Sequence, residues 1–295
     1  ELALMGYDVT IYEAKEKAGG LDTWGIAPYK MMQRDSLNEV KLVESFGVAI
    51  KTKTRVGKEI SIEELQKKHN AIFVGVGLAS PTRLGIPGEQ LAGVVDALDF
   101  IDDVTTRKWK SIDVGKWVAV IGAGNTAIDA ATEAKRLGAE QVYMIYRRSE
   151  KEMPAYEFEF ELAQNDGVQF MFQTAPKRVI GKKHVEALEC IRMKLGAPDK
   201  DGRRKPVPVP RSEFKLPVDM VIKSVGQNIE DSFLSQIPNL KTKNGMVVVN
   251  TKTYQTTNPK YFAGGDCING GKEVVNAAYD GKQAAHGIDR CLFSK

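Results

Sequence analysis

Residues 118–137 read VAVIGAGNTAIDAATEAKRL: an apolar run, a glycine-rich turn and a helical pattern in direct succession. Val118, Ala119, Val120 and Ile121 have the length and β-branching of a parallel strand buried on both faces. The run leads into Gly122-Ala123-Gly124-Asn125-Thr126-Ala127, the G-x-G-x-x-G/A form of a dinucleotide-binding turn. Ile128, Ala131, Ala134 and Leu137 then recur at helical spacing. Gly122 permits the tight exit from the strand, Gly124 lets backbone approach a pyrophosphate, and Ala127 lets the helix pack close to the strand. The unpaired N–H groups and positive dipole end of that helix then face the phosphates. A turn of this composition also serves plain packing. The context that favours a nucleotide is the closure of the helix at Gly138 and a second strand on schedule at Val142–Tyr146.

The end of that second strand bears on which nucleotide is read. An NAD site places Asp or Glu about 20 residues beyond the glycines to hold the ribose 2′-hydroxyl, whereas a 2′-phosphate calls for Arg. Here the chain offers Tyr146-Arg147-Arg148-Ser149. Guanidinium groups clamp phosphate with bidentate, charge-assisted bonds, so NADP(H) is favoured over the alternative of two solvated arginines.

Composition narrows the remaining classes. The 295 residues suffice for about two domains, and the 42% hydrophobic and 27% charged fractions are ordinary for a globular protein. Apolar runs are strand-sized, so neither a membrane segment nor a signal peptide is expected. A net charge of +4 is too small to argue for nucleic acid. Cys190, Cys267 and Cys291 are odd in number and widely spaced, which suits reduced thiols in a cytoplasmic setting. No C-x-x-C occurs, excluding a dithiol redox centre of the thioredoxin-reductase kind, and His69, His184 and His286 match no metal-site spacing.

Outward from the central motif, Glu1–Met5 reads as a helix end capped by Gly6, and Val9–Tyr12 as a short strand ending on Glu13. That is the second half of a βαβ unit, with Glu13 where a ribose-binding acid belongs. Its glycine turn would precede residue 1, so a fragment of a longer polypeptide is expected. Residues 18–30 form a glycine-rich, apolar loop that either wraps a flat aromatic cofactor or packs as an Ω-loop. Residues 35–46 read as helix, 48–55 and 71–77 as strands, and 94–104 as a short helix. A Glu-rich helix follows at 157–165, a strand at 168–172, and a hairpin over 179–194. The Lys-, Arg- and Pro-rich stretch 197–211 reads as a mobile basic loop. Two strands are delivered to glycines, at Gly77 and Gly226, where backbone passes close to a bound cofactor. Near the C-terminus Tyr261-Phe-Ala-Gly264-Gly265-Asp266 presents a carboxylate and adjacent amides before a helix at 274–292.

In combination these stretches resemble one family. They are Tyr12-Glu13, Gly19-Gly20-Leu21 through Pro28, Gly85-Ile-Pro-Gly88, Gly122 through Asp129, Tyr146-Arg-Arg148, Met153-Pro-Ala155, Ser224-Val-Gly-Gln227, Phe262 through Asp266, and Asp280-Gly-Lys-Gln-Ala-Ala285. The family is the FAD-dependent NAD(P)H oxidoreductases that include the glutamate synthase small (β) subunit and the electron-input part of dihydropyrimidine dehydrogenase, with its PreT-like bacterial relatives. The resemblance runs the length of the chain, in order.

It implies an α/β protein with two Rossmann-like dinucleotide-binding domains, of the glutathione- and thioredoxin-reductase kind. An NAD(P)H domain at 108–245 would interrupt an FAD domain, truncated at its N-terminus, made from 1–107 and 246–295. By position, Glu13 would hold the flavin's adenosine ribose, and Gly20, Leu21 and Lys30 would contact FAD. Gly265 and Asp266 would bind its ribityl or pyrophosphate portion. Gly122, Gly124, Asn125 and Thr126 would border the nicotinamide nucleotide, Arg147 and Arg148 its 2′-phosphate, and Gly226 would lie close to cofactor. No catalytic side chain and no metal is implied. Electrons would pass from NADPH through FAD to a larger catalytic subunit or domain with iron–sulfur centres, as in glutamate synthase. The alternatives are a PreT-type dihydropyrimidine dehydrogenase subunit and a catalytically silent nucleotide-binding fragment.

Overall fold

The computed structural model describes residues 1–78, 80–198 and 202–293. The chain divides into two compact units. One is built from Glu1–Thr23, Arg34–Ser80 and Gln227–Lys295; the other from Trp24–Gln33 and Pro81–Gly226.

The second unit contains the central motif. Its elements are β1 (Val94–Asp96), α1 (Ala97–Thr106), β2 (Trp117–Ile121), α2 (Asn125–Arg136), β3 (Gln141–Ile145), α3 (Glu157–Asn165) and β4 (Gln169–Met171), followed by β5 (Thr174–Ile180), β6 (Ala187–Pro198), β7 (Arg204–Pro217) and β8 (Met220–Lys223). Strands β1, β8, β2, β3 and β4 form a five-stranded sheet in that order. Every pairing in it is parallel, with Val118 opposite Met220 on one side and Val142 on the other.

The apolar run is continuous because both faces of this sheet are covered. On one face Val118, Val120, Val142, Met144, Met220 and Ile222 join the buried sides of α1 and α2. On the other, Ala119, Ile121, Ile145 and Val221 pack under Val179, Leu188 and Cys190 of β5 and β6. Strands β5, β6 and β7 form a separate antiparallel sheet that lays its apolar face over the parallel one. Alternate residues of each strand serve opposite faces, as the strand period of two requires.

Three expectations change here. Residues 94–104 were read as helix throughout, but Val94, Val95 and Asp96 pair with Val221, Ile222 and Lys223 as an edge strand before α1 begins. Tertiary pairing overrides a helix-compatible pattern there. Residues 81–107, grouped by sequence with the first domain, therefore lie in the unit that holds the central sheet, and that unit ends at Gly226 rather than 245. The stretch 197–211 was read as a mobile loop, yet from Arg204 onward it is strand β7, paired through Pro198↔Arg204, Lys194↔Val207 and Met193↔Pro208. Its prolines sit on an edge strand, where a missing N–H donor costs no ladder bond. Residues 199–201 of that stretch lie outside the described residues.

The first unit carries two short parallel ladders, Thr10–Tyr12 with Ala49–Lys51 and Ile72–Val74 with Tyr261–Ala263. Among the described residues no ladder joins the two pairs. Its core gathers Ile62, Val74, Ile229, Leu234, Ile237, Val247, Tyr261 and Cys267. Helix Val274–Phe293 follows, and Tyr7 donates to its Asp289 at 2.9 Å.

The tightest constraint in the second unit is the exit from β2. Gly122 has φ +140°, and a Cβ there would stand 2.2 Å from the Ser224 carbonyl oxygen, far inside contact distance, on the segment leaving β8. Ser224 N–H donates to the Ile121 carbonyl at 2.8 Å, so the two strand ends are stitched where only a glycine fits. Gly122→Ala is expected to lower unfolding free energy by about 3 kcal/mol through combined backbone strain and overpacking. A denaturant melt checks this, and Gly124→Ala should be far milder.

Candidate nucleotide-binding sites

The Gly122–Thr126 turn lies at the carboxyl edge of the parallel sheet, where the strand order turns back: β3 and β4 continue to one side of β2, and β8 and β1 lie on the other. In open α/β sheets ligands bind at this point. Gly124 is the N-cap of α2. Among the described residues, a Cβ at Gly124 would meet just the Pro154 Cγ, 3.9 Å away. No protein atom therefore demands glycine at 124, whereas Gly122 is demanded by Ser224. That is the difference expected when the second glycine keeps space for a ligand rather than for the fold. Ala127 is fully buried against the sheet, as its smallness predicts.

A second wall borders the turn. Ala155 N–H donates to the Ala123 carbonyl at 3.2 Å, and Tyr156 N–H donates to Asn125 Oδ1 at 3.1 Å. Asn125 thus holds the Met153–Tyr156 segment in place, and Thr126 is half-buried one residue further on. The segment is prepared by a capping box: Ser149 N–H donates to Glu152 Oε2, and the Tyr146 hydroxyl donates to the Glu152 carbonyl at 2.7 Å. The Ser149 hydroxyl bond, first, and the backbone amide hold the Glu152 carboxyl below its ordinary range.

The two arginines after β3 part company. Arg147 is exposed, with no side-chain partner among the described residues. Arg148 is only 8% exposed, and its Nε donates to the Arg204 carbonyl of β7 at 3.1 Å. Arg147 is therefore free to meet a phosphate, while Arg148 is already engaged in tying β7 to the loop after β3. The sequence showed the pair but not the division of labour, because what engages Arg148 comes from a strand 56 residues away.

Lys30 departs further from its sequence assignment. It lies in the unit that contains the Gly122 turn, and its ammonium bonds Asp129 Oδ1 of α2 and Glu159 Oε1 of α3, each at 2.7 Å. The adjacent Tyr29 hydroxyl donates to Asp129 at 2.6 Å, beneath the Arg136 guanidinium stacked 4.5 Å from its ring. Burial opposes the Lys30 charge, but the two carboxylates outweigh it and hold the ammonium above its usual pKa. Burial, then the Asp129 and Glu159 charges, push the Tyr29 phenol upward. Asp129 and Glu159 were not singled out from sequence; the available signal was an acid inside the apolar run Ala127–Ala131 of a buried helix face.

In the first unit, Glu13 follows Thr10–Tyr12, and its carboxylate accepts the Lys15 N–H at 2.7 Å. Gly20 has φ +58°, with nothing within 4 Å of where a Cβ would stand, and Leu21 beside it is exposed. Gly264 and Gly265 end the Tyr261–Ala263 strand, and Gly265 N–H donates to Asp280 Oδ2 at 3.0 Å. Asp280, buried and also held by the Tyr254 hydroxyl at 3.0 Å, sets this loop; it was noticed in sequence only as part of a resemblance. Asp266 opens the next helical turn and accepts the Lys272 N–H at 3.0 Å. Gly226 is the last residue of the second unit and accepts the Thr82 N–H at 2.9 Å.

The architecture and the Gly122 turn place the chain in the dinucleotide-binding α/β class. Residues 1–281 match the model of the pyridine nucleotide-disulphide oxidoreductase family, and the chain belongs to that family. It is 40% identical to the NADP(+)-dependent formate dehydrogenase subunit beta of Moorella thermoacetica, over 99% of this chain and 41% of that protein. It is 35% identical to the glutamate synthase [NADPH] small chain of Azospirillum brasilense, over 98% of this chain and 62% of that one. The chain thus spans about half the length of these relatives. Its fold matches Mycobacterium tuberculosis FprA in complex with NADPH, with a TM-score of 0.78 at 20% identity, over 97% of this chain and 78% of that one. The resemblance read from the motifs and the α/β fold are both borne out by these matches.

The family name refers to disulphides, but the buried thiols here are unsuited to that chemistry. Burial is the main cause that pushes Cys190 up to about 12 and Cys267 up to about 11. Thiolate is the reactive form, and its fraction at pH 8 is then negligible. Iodoacetamide at pH 8 is expected to leave Cys190 and Cys267 unlabelled in the native protein and to label both in denaturant. Peptide mass spectrometry checks this, and native labelling of either would contradict the assigned burial.

Proposed function

We propose that the chain is the electron-input part of a larger NADPH-dependent flavoprotein, taking reducing equivalents from NADPH through FAD to a partner active site. The observation that carries this reading is the open space at Gly124, at the switch point of a parallel sheet, in a chain that belongs to a nicotinamide-linked reductase family. The relatives' names supply the rest: their named partner reactions differ, formate dehydrogenase in one and glutamate synthase in another, while the nicotinamide-linked part recurs. A glutamate-synthase-like arrangement with a larger catalytic subunit carrying iron–sulfur centres is the version proposed for this chain.

The residues present suit both nucleotides. In the second unit the Gly124–Thr126 amides and the α2 dipole would receive the pyrophosphate, and Arg147 the 2′-phosphate. In the first, Glu13, Gly20, Leu21, Gly265 and Asp266, at strand ends and turns, would hold the flavin nucleotide, with open space beside Gly20. Lys30, committed to Asp129 and Glu159, is not among them. Bound FAD would supply a hydride acceptor for NADPH and a carrier for the electrons passed onward. The protein's task is to orient the two rings and exclude water, work that calls on no catalytic acid or base.

Two measurements test the proposal. The complete parent protein, reconstituted with FAD, should lose its visible flavin absorbance on anaerobic addition of NADPH; flavin left oxidised would defeat the redox reading. Arg147→Ala should raise Kd for NADPH by about tenfold or more, as loss of a charge-assisted phosphate contact predicts, with NADH little affected. Arg148→Ala should instead lower the melting temperature, with a smaller effect on cofactor choice.

A further inference from the structure

We propose that Lys30 is a positioning residue for the nicotinamide nucleotide: it clamps together the two walls of the Gly122 turn and thereby fixes the width of the phosphate cleft. The inference rests on the reading of that turn as a nucleotide site.

The two walls are separate in sequence. One is α2, whose first turn supplies the Gly124–Thr126 amides and whose next turn carries Asp129. The other is the Met153–Tyr156 segment, which leads into α3 and carries Glu159 at the third residue of that helix. Backbone N–H groups hold the walls near the turn, Ala155 donating to the Ala123 carbonyl and Tyr156 to the Asn125 side-chain Oδ1. One helical turn deeper, the Lys30 ammonium bridges Asp129 and Glu159, 2.7 Å from each.

The clamp is built to be rigid. The Asp129 and Glu159 side chains are 9% and 7% exposed, and that of Lys30 is 26% exposed. Without the ammonium, two carboxylates would face each other across a partly dry gap, and their repulsion would part the helices. The short segment that delivers Lys30 is fixed independently. Ala27 is fully buried, its carbonyl accepts the Lys30 N–H at 2.9 Å, and the Thr105 hydroxyl of α1 donates to the Ile26 carbonyl at 3.3 Å. Tyr29 adds a neutral bond to the same Asp129 oxygen. Helix α2 is thus held at its second turn by a segment of chain remote in sequence, with the pyrophosphate-facing amides directly above.

The test is calorimetric titration of NADP+ into the chain, which needs no flavin. Wild-type binding comes first: a chain that takes up no NADP+ overturns the nucleotide-site reading itself. Given binding, Lys30→Met should weaken it about tenfold, at temperatures well below the variant's melting point and at both low and high salt. Lys30→Arg, which keeps a cation able to reach both carboxylates, should restore it to within about threefold. Binding by Lys30→Met equal to wild type would overturn the proposal, as would a Lys30→Arg that behaves like Lys30→Met. A loss that vanishes at high salt would also overturn it, because a distant change of charge would then suffice. If Lys30→Met does not fold, Tyr29→Phe takes its place. It removes one bond to Asp129 without stranding a charge and should weaken binding about threefold; an unchanged Kd sinks the idea.

Discussion

The second unit depends on the approach of two backbone segments at the carboxyl edge of its parallel sheet. The chain leaving β2 and the chain leaving β8 come close enough for Ser224 to donate to Ile121, with its carbonyl in the space a Cβ at Gly122 would need. A parallel sheet with a reversal in strand order leaves a crevice at that edge, because the helices after neighbouring strands depart in opposite senses. Here β2 feeds α2, whereas β8 is followed by no helix before the unit ends at Gly226. Gly122 makes the crevice geometrically possible, and Gly124 leaves it open. The same motif therefore contains one glycine required by the fold and one that the fold does not require.

This difference explains what could be read in advance. Strand β2, helix α2 and strand β3 were legible because local signals and tertiary packing agree: a β-branched run buried on both faces, a glycine turn, then an amphipathic helix. The two halves of the first unit were legible in outline through Glu13 and the Gly264–Asp266 turn. Strand β1 was not. Val94 and Val95 gain their strand character from pairing with β8, more than 120 residues later in the chain, and no local pattern announces such a partner. Strand β7 was hidden for a different reason. Its exposed face is charged and punctuated by proline, a composition that reads as loop, while Phe214 and Leu216 on its other face pack toward the sheet.

The same distinction applies to the charged groups. Arg147 and Arg148 are adjacent and chemically identical, and sequence could only treat them alike. Their fates separate in the bend after β3, where Arg147 is exposed and Arg148 is buried, with its Nε on the Arg204 carbonyl of β7. Lys30 was read as an FAD contact through its position in the family resemblance alone. Its charge is engaged by Asp129 and Glu159, which lie far along the chain where no local pattern announces them.

A buried ion cluster is a weak source of net stability, since desolvation consumes most of the Coulombic gain. Apolar residues of similar size at 30, 129 and 159 would hold the helices at least as firmly in free-energy terms. What an apolar contact lacks is direction: packed methyl groups tolerate small slides of one helix along another. An ammonium between two carboxylates at hydrogen-bonding distance tolerates less, because each displacement lengthens a charge-assisted bond in a poorly solvated setting. On the proposed reading, in which this unit offers backbone amides to a phosphate, the tolerance that matters is a fraction of an ångström in the placement of α2. The cluster is therefore best understood as fixing geometry, at some expense in stability, in the part of the molecule where geometry decides function.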